Sequence, residues 1–140
     1  MISTAALAAL ALGMQAPSWT WTLYEGSGPV VLAYERPDTP DLRTTLECSA
    51  GSGIVRVSVY DSALKPGFAT VTSGEQTATM EAAPGADHAI VASLRTDHPV
   101  FSRFSTSGAL SMTVGEARQD IQFDSVHLAK LRRFADLCGG

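Results

Sequence analysis

The chain is poor in charge, in cysteine and in aromatic residues, and each scarcity removes a class of function. Charged residues make up 17% and the formal net charge is −4, with no cluster of Lys and Arg ahead of the last helical segment. That leaves no electrostatic footprint for nucleic acid, whose binders concentrate basic residues in patches. Lys130, Arg132 and Arg133 form the densest basic spot. Near a helix C-terminus they read as a solvated face whose cations complement the helix dipole. With 45% hydrophobic residues, the chain is not kept unfolded by charge excess, and its length fits one core.

No apolar run is long enough for a transmembrane helix. Ile2 to Leu12 is uniformly apolar or small, but a helix of that length spans only about 16 Å, roughly half of a ~30 Å hydrocarbon layer. The run has no polar face, as a retained surface helix would show. It fits the apolar region of a secretory signal, with Ala11-Leu12-Gly13 as an A-x-A-like cleavage site, although no Lys or Arg precedes it. Residues 1–13 are therefore expected to be a signal peptide and 14–140 a single β-rich domain. No Cys follows the leader, so no lipid anchor is expected. The competing reading is an Ala/Leu-rich helix retained in a cytoplasmic domain.

Motifs that carry chemistry are missing too. His88, His98 and His127 are scattered, without His-x-His, H-E-x-x-H or Cys-x-x-Cys spacing, so no metal ligand is assigned. No glycine-rich loop opens a helix, which gives no cofactor site. Gly51-Ser52-Gly53 lies between two strands rather than in a G-x-S-x-G elbow, and reads as a turn. Glu25, Glu35, Glu47, Glu75, Glu81 and Glu116 are spread among polar neighbours. Paired carboxylates for glycoside hydrolysis remain one alternative there, with surface placement the simpler one. No catalytic residue is assigned. Trp19, Trp21, Tyr24 and Tyr34 cluster on the first predicted hairpin; at alternate strand positions they read as core, or as a binding face if exposed together.

What is present is alternation of period two. WTWTLY and VVLAYE flank the turn EGSGP. LRTTLECS and GIVRVSVY flank Ala50-Gly51-Ser52-Gly53, and FATVTS, QTATMEA and HAIVASL follow with Gly/Pro turns between them. Such spacing predicts a mainly β fold, an antiparallel β-sandwich or compact barrel of about eight strands. A short helix is expected near 99–105, with Pro99 in its first turn, Asp97 or His98 as cap and Gly108 as its end. A C-terminal α-helix is expected over 126–138, capped by Asp124 or Ser125, burying Leu128, Leu131, Phe134, Ala135 and Cys138 at i, i+3, i+4 spacing.

The two cysteines fall on buried faces of this pattern. Cys48 shares a strand face with Leu46, and Cys138 sits on the apolar stripe of the last helix. They read as a disulfide joining a central strand to the closing helix, which takes reactive thiol chemistry away from both. The alternative is two unrelated buried thiols in a reducing compartment.

The second half also carries Pro99-Val-Phe-Ser-Arg-Phe, the hairpin segments Ala109-Leu-Ser-Met-Thr-Val and Ile121-Gln-Phe-Asp, and an L-x-x-L-R-x-x-A-x-x-C-G helix made by Leu128, Leu131, Arg132, Ala135, Cys138 and Gly139. Over residues 42–60 and 99–139 this layout resembles small secreted proteobacterial proteins, among them periplasmic accessory proteins associated with type VI secretion. Leu46-Glu47-Cys48 corresponds to their first cysteine strand. The chain departs from them in lacking a lipoprotein cysteine and a second upstream cysteine pair. The resemblance implies a disulfide-closed periplasmic β-sandwich and transfers no active site. The functional expectation is an exported, periplasmic or secreted, non-enzymatic binding or accessory domain, with an envelope protein as partner. A small-ligand carrier with a barrel cavity and a small hydrolase are the alternatives.

Overall fold

Alternation of buried and exposed residues turns one side of a long antiparallel sheet into the core. The computed structural model describes residues 18–139, so the expected leader at 1–13 lies outside the described residues. The strands are β1 (Thr20–Tyr24), β2 (Val30–Glu35), β3 (Leu42–Cys48), β4 (Ile54–Val59), β5 (Gly67–Ser73), β6 (Gln76–Pro84), β7 (Ile90–Arg95), β8 (Ala109–Val114) and β9 (Ala117–Gln122). All neighbours are antiparallel and the order is β1-β2-β3-β4-β7-β6-β5-β8-β9. The fold is mainly β, as expected, with nine strands among the described residues curled into a half-barrel.

Register lines the apolar residues into rows. Leu32 faces Leu46, Leu46 faces Val57 and Val57 faces Ala92, and none of the four is more than 1% exposed. In the other half, Ala78, Val71, Met112 and Gln119 form the matching row. Two helices close the concave side: α1 (Pro99–Ser107) packs on β5 and β6, and α2 (Leu128–Cys138) on β1 and β2. Their Val100, Phe104, Leu131 and Phe134 are fully buried, each contributing about 1.5 to 3 kcal/mol of burial.

The capping of α1 follows its sequence. His98 accepts the Val100 N–H at 3.1 Å, Pro99 opens the first turn, and Gly108 ends the helix at φ 79. A Cβ at Gly108 would also stand 3.1 Å from the Phe123 carbonyl, so glycine is required there on two counts. The last helix starts at Leu128, later than the expected 126. The Asp124 carboxylate and carbonyl both accept the His127 N–H, at 2.9 and 3.1 Å. These bonds fold 124–127 into a turn that leaves Val126 79% exposed.

The disulfide joins Cys48 at the end of β3 to Cys138 at the end of α2, with Cα atoms 5.8 Å apart across 90 positions. The turn after Cys48 adds backbone bonds to the same place. Gly51 N–H donates to the Leu137 carbonyl at 2.9 Å and Gly53 N–H to the Cys138 carbonyl at 2.8 Å. Both glycines have left-handed φ, 70 and 74, which lets a short turn aim its N–H groups at carbonyls that α2 leaves without partners.

Candidate functional site

Two breaks in the sheet set the places where something else could bind. The first lies between β6 and β7, which are bonded only through Ala83 with Val91 and Pro84 with Ile90, beside a 3-10 turn at Ala86–His88. Beyond those pairs no further β6–β7 pairing forms, and the chain leaving β7 turns into α1, which buries Val100, Phe101 and Phe104 and packs on β5 and β6. The outer edge of β6 from Gln76 to Ala82, and that of β7 from Ala92 to Arg95, therefore has no strand partner among the described residues. Between them lies a slot of about 390 Å³ lined by Thr77, Ala78, Thr79, Met80, Ser93 and Leu94, with Arg95 and His98 at its end.

This slot is flanked by unpaired strand edges and lined mostly by short polar and apolar residues rather than by a cluster of catalytic groups. Sheet edges left bare invite another strand, and proteins normally blunt them with charge, proline or a covering element. Here Thr77-Ala78-Thr79-Met80 carries no charge and no proline. Arg95 is held by Asp97 at 2.9 Å, a bond that lowers the Asp97 pKa and raises that of Arg95. The pair leaves the mouth near neutral, with hydrogen-bonding backbone as its dominant chemistry.

The second break lies between the sheet's outer edges, β9 and β1. There the ladder is replaced by side chains. The Trp21 indole N–H donates to the Gln122 carbonyl at 3.0 Å, and the ring stacks on Phe123 at 3.8 Å. Lys130 Nζ donates to the Trp21 carbonyl at 2.7 Å, and Arg133 pairs with Glu25 at 3.0 Å. At the foot of this seam are two adjoining cavities of about 350 and 240 Å³ that share Arg43 and Gln119.

The seam also holds a hydroxyl, an imidazole and a carboxylate in line. Thr20 Oγ1 is 3.0 Å from His127 Nε2, and His127 Nδ1 is 2.7 Å from Asp124 Oδ1. Those are the distances of a nucleophile, a base and its orienting acid. The placement is that of a clip: Thr20 opens a strand, the hydrogen bonds tie that strand to the turn before α2, and neither Thr20 nor His127 lines any of the cavities described here. Hydrogen bonds from His127 lower the Asp124 pKa.

The other sequence candidates disperse. His88 sits exposed in the 3-10 turn and His98 caps α1. Among the described residues no cluster of His, Cys, Asp and Glu could hold a metal. Glu25 pairs with Arg133 and Glu47 with Arg56; Glu35 accepts the Tyr24 hydroxyl, which raises the Tyr24 pKa. Glu75, Glu81 and Glu116 stand exposed in turns or on β6. Ser52 Oγ bonds only to the Ile54 backbone, as a turn residue would. The aromatic cluster divides: Trp21 is core at 3% exposure, Tyr24 is exposed, and Trp19 and Tyr34 are half-buried at the seam with ring centroids 5.6 Å apart.

Sequence reasoning missed Arg43, Asp61 and Gln119. Arg43 is displaced by a β-bulge, where Tyr34 pairs with Thr44 and Glu35 with Leu42, and a bulge leaves no composition signal. Gln119 had one available sign, a polar residue two positions from the buried Ile121 on an alternating strand.

These features define a disulfide-closed, mainly β domain whose sheet is sealed at one break and open at the other. Among the described residues no helix is long and apolar enough to cross a membrane, and the disulfide fits an oxidising compartment, extracellular or periplasmic. No family model, curated protein or solved structure matches the chain.

Proposed function

We propose that the protein is an exported, periplasmic, non-enzymatic binding domain that receives an extended segment of an envelope protein along the open edges of β6 and β7. The observation that carries this reading is the interrupted ladder: two strand edges, uncharged over Thr77 to Met80 and over Ala92 to Leu94, face each other across a slot and have no strand partner among the described residues. A peptide in β conformation would supply the missing donors and acceptors, with alternate side chains over Ala78, Met80 and Leu94. The apolar leader at Ile2 to Leu12 and the disulfide support export, and the resemblance of the second half to periplasmic accessory proteins associated with type VI secretion belongs with it. Side chains of Leu32, Met112, Phe104 and Phe134 fill the space that a lumen carrier would need.

Peptides selected from a displayed random library test the binding mode. Hydrogen exchange of the complex is expected to slow at 77–80 and 92–95, and Thr79→Pro to weaken binding without unfolding the domain. Selected peptides that protect other segments, or a library that yields none, would remove this reading. Export is tested separately by the intact mass of protein recovered from its native host. Retained residues 1–13, or two thiols alkylated without reductant, would contradict it.

A further inference from the structure

The cavity at the foot of the β1–β9 seam carries opposite charges that are not paired with each other. The bulge in β3 aims Arg43 into it, with the guanidinium carbon 4.3 Å above the Trp19 ring. Stacking holds that planar group and leaves its N–H fork free for a carboxylate. Asp61 lines the same cavity from the end of β4, with its backbone in the left-handed region at φ 51, which Asp tolerates better than most residues. Neither Arg43 nor Asp61 forms an ion pair among the described residues. The remaining charge there, Asp41, is held by Arg36 at 3.3 Å. Trp19 and Tyr60 supply an aromatic wall, and Gln119 reaches in from the opposite half of the sheet with both a donor and an acceptor.

We infer that this cavity binds a small zwitterion of the amino-acid type, its carboxylate on Arg43 and its ammonium on Asp61, with its side chain against Trp19 and Tyr60. Charge complementarity decides among ligand classes. A simple anion entering the cavity meets the carboxylate of Asp61, and a simple cation meets Arg43. A neutral sugar hydroxyl can bond either group but brings no opposite charge to it, so the direct ion-pair attraction is missing. A molecule with both charges satisfies both groups. A cavity of about 350 Å³ lies within the range of small-ligand sites. The site is remote in sequence from β6 and β7, and does not rest on the strand-pairing reading.

The test is calorimetry and ligand-detected NMR on the disulfide-intact protein. Free L-amino acids serve as probes, beside their N-acetyl and amide derivatives, glucose and sodium acetate. At least one free amino acid is expected to bind saturably, with affinity falling about tenfold or more when either its amine or its carboxylate is blocked, the scale of one lost charge-assisted hydrogen bond. Arg43→Gln and Asp61→Asn are each expected to weaken binding to a similar degree, whereas Glu116→Gln leaves it unchanged. The proposal is overturned if no free amino acid saturates, if the blocked derivatives bind as well as the parent, or if glucose or acetate binds and the amino acids do not. Thermal unfolding of the variants checks their folding. Should either variant fail to fold, the comparison of free with blocked ligands decides alone.

Discussion

Between β9 and β1 the sheet is interrupted and then covered, whereas between β6 and β7 it is interrupted and left bare. The first break is spanned by the Trp21 indole, the Lys130 ammonium and the Thr20–His127–Asp124 chain. Behind it stands α2, itself held to β3 by the disulfide. The second break has α1 packed on β5 and β6 to one side of it and two backbone pairs at one end. Both have strands with unused edges, so strand geometry alone does not seal a sheet. Sealing needs side chains long enough to replace the ladder and an anchor that keeps them in place. Where the sequence instead supplies Thr, Ala and Ser, the edge stays available.

The largest effect that separates the breaks is expected from truncating their central side chains. Trp21→Ala removes a core ring and the bond to Gln122, and should cost about 3 to 5 kcal/mol, whereas Met80→Ala at the half-buried slot should cost about 1 kcal/mol or less. Urea unfolding of both variants measures the contrast, and equal costs would show that the two breaks do not differ in how they are sealed. Next in size is the disulfide. Cys48→Ala with Cys138→Ala should lower stability by about 2 to 4 kcal/mol. Hydrogen exchange should quicken in α2 and in the turn at 50–53 while 77–80 stays as it was.

The covered break was partly legible in the sequence. Alternation at Leu46 and Cys48, together with helical spacing through Leu131, Phe134 and Cys138, placed the disulfide and the closing helix, because burial periodicity is a local signal. α2 starts two residues later than periodicity predicts, since the turn made by Asp124 and His127 depends on a carboxylate geometry that periodicity does not register. The open break was not legible. QTATMEA and HAIVASL read as successive strands, and where their pairing stops is a tertiary outcome that local periodicity does not register. The same limit applies to the zwitterion cavity, which is assembled from β1, β3, the end of β4 and β9, segments far apart in the chain.

A smaller effect tests whether the cover over β1 acts through its polar bonds or only through packing. Lys130→Met keeps the aliphatic stem and removes the ammonium bonded to the Trp21 carbonyl. The expected cost is about 1 kcal/mol, with faster amide exchange confined to β1. Unchanged exchange there would show that packing by α2 suffices, and would weaken the claim that side chains replace the missing ladder.

The smallest expected effect is a difference in acid response, since each break carries one aspartate held below its ordinary pKa. At the open break the cause is chiefly the hydrogen bond from Arg95 to Asp97, and at the covered break chiefly that from His127 to Asp124. A carboxylate depressed in the folded state adds stability that is fully present above its unfolded pKa of about 3.9 and is lost as pH falls through the lower folded value. Both contributions should therefore fade below about pH 4. Their locations differ: losing the Asp124 bond frees the clip on Thr20 and β1, whereas losing the Asp97 bond loosens only the approach to α1. Amide exchange measured on the acid side should accordingly rise more in β1 than in β7. Asp124→Asn should remove the excess in β1, and Asp97→Asn should leave it in place. If Asp124→Asn keeps the wild-type acid response in β1, the Thr20–His127–Asp124 chain is not what seals that edge, and the covering rests on Trp21 and Lys130 alone.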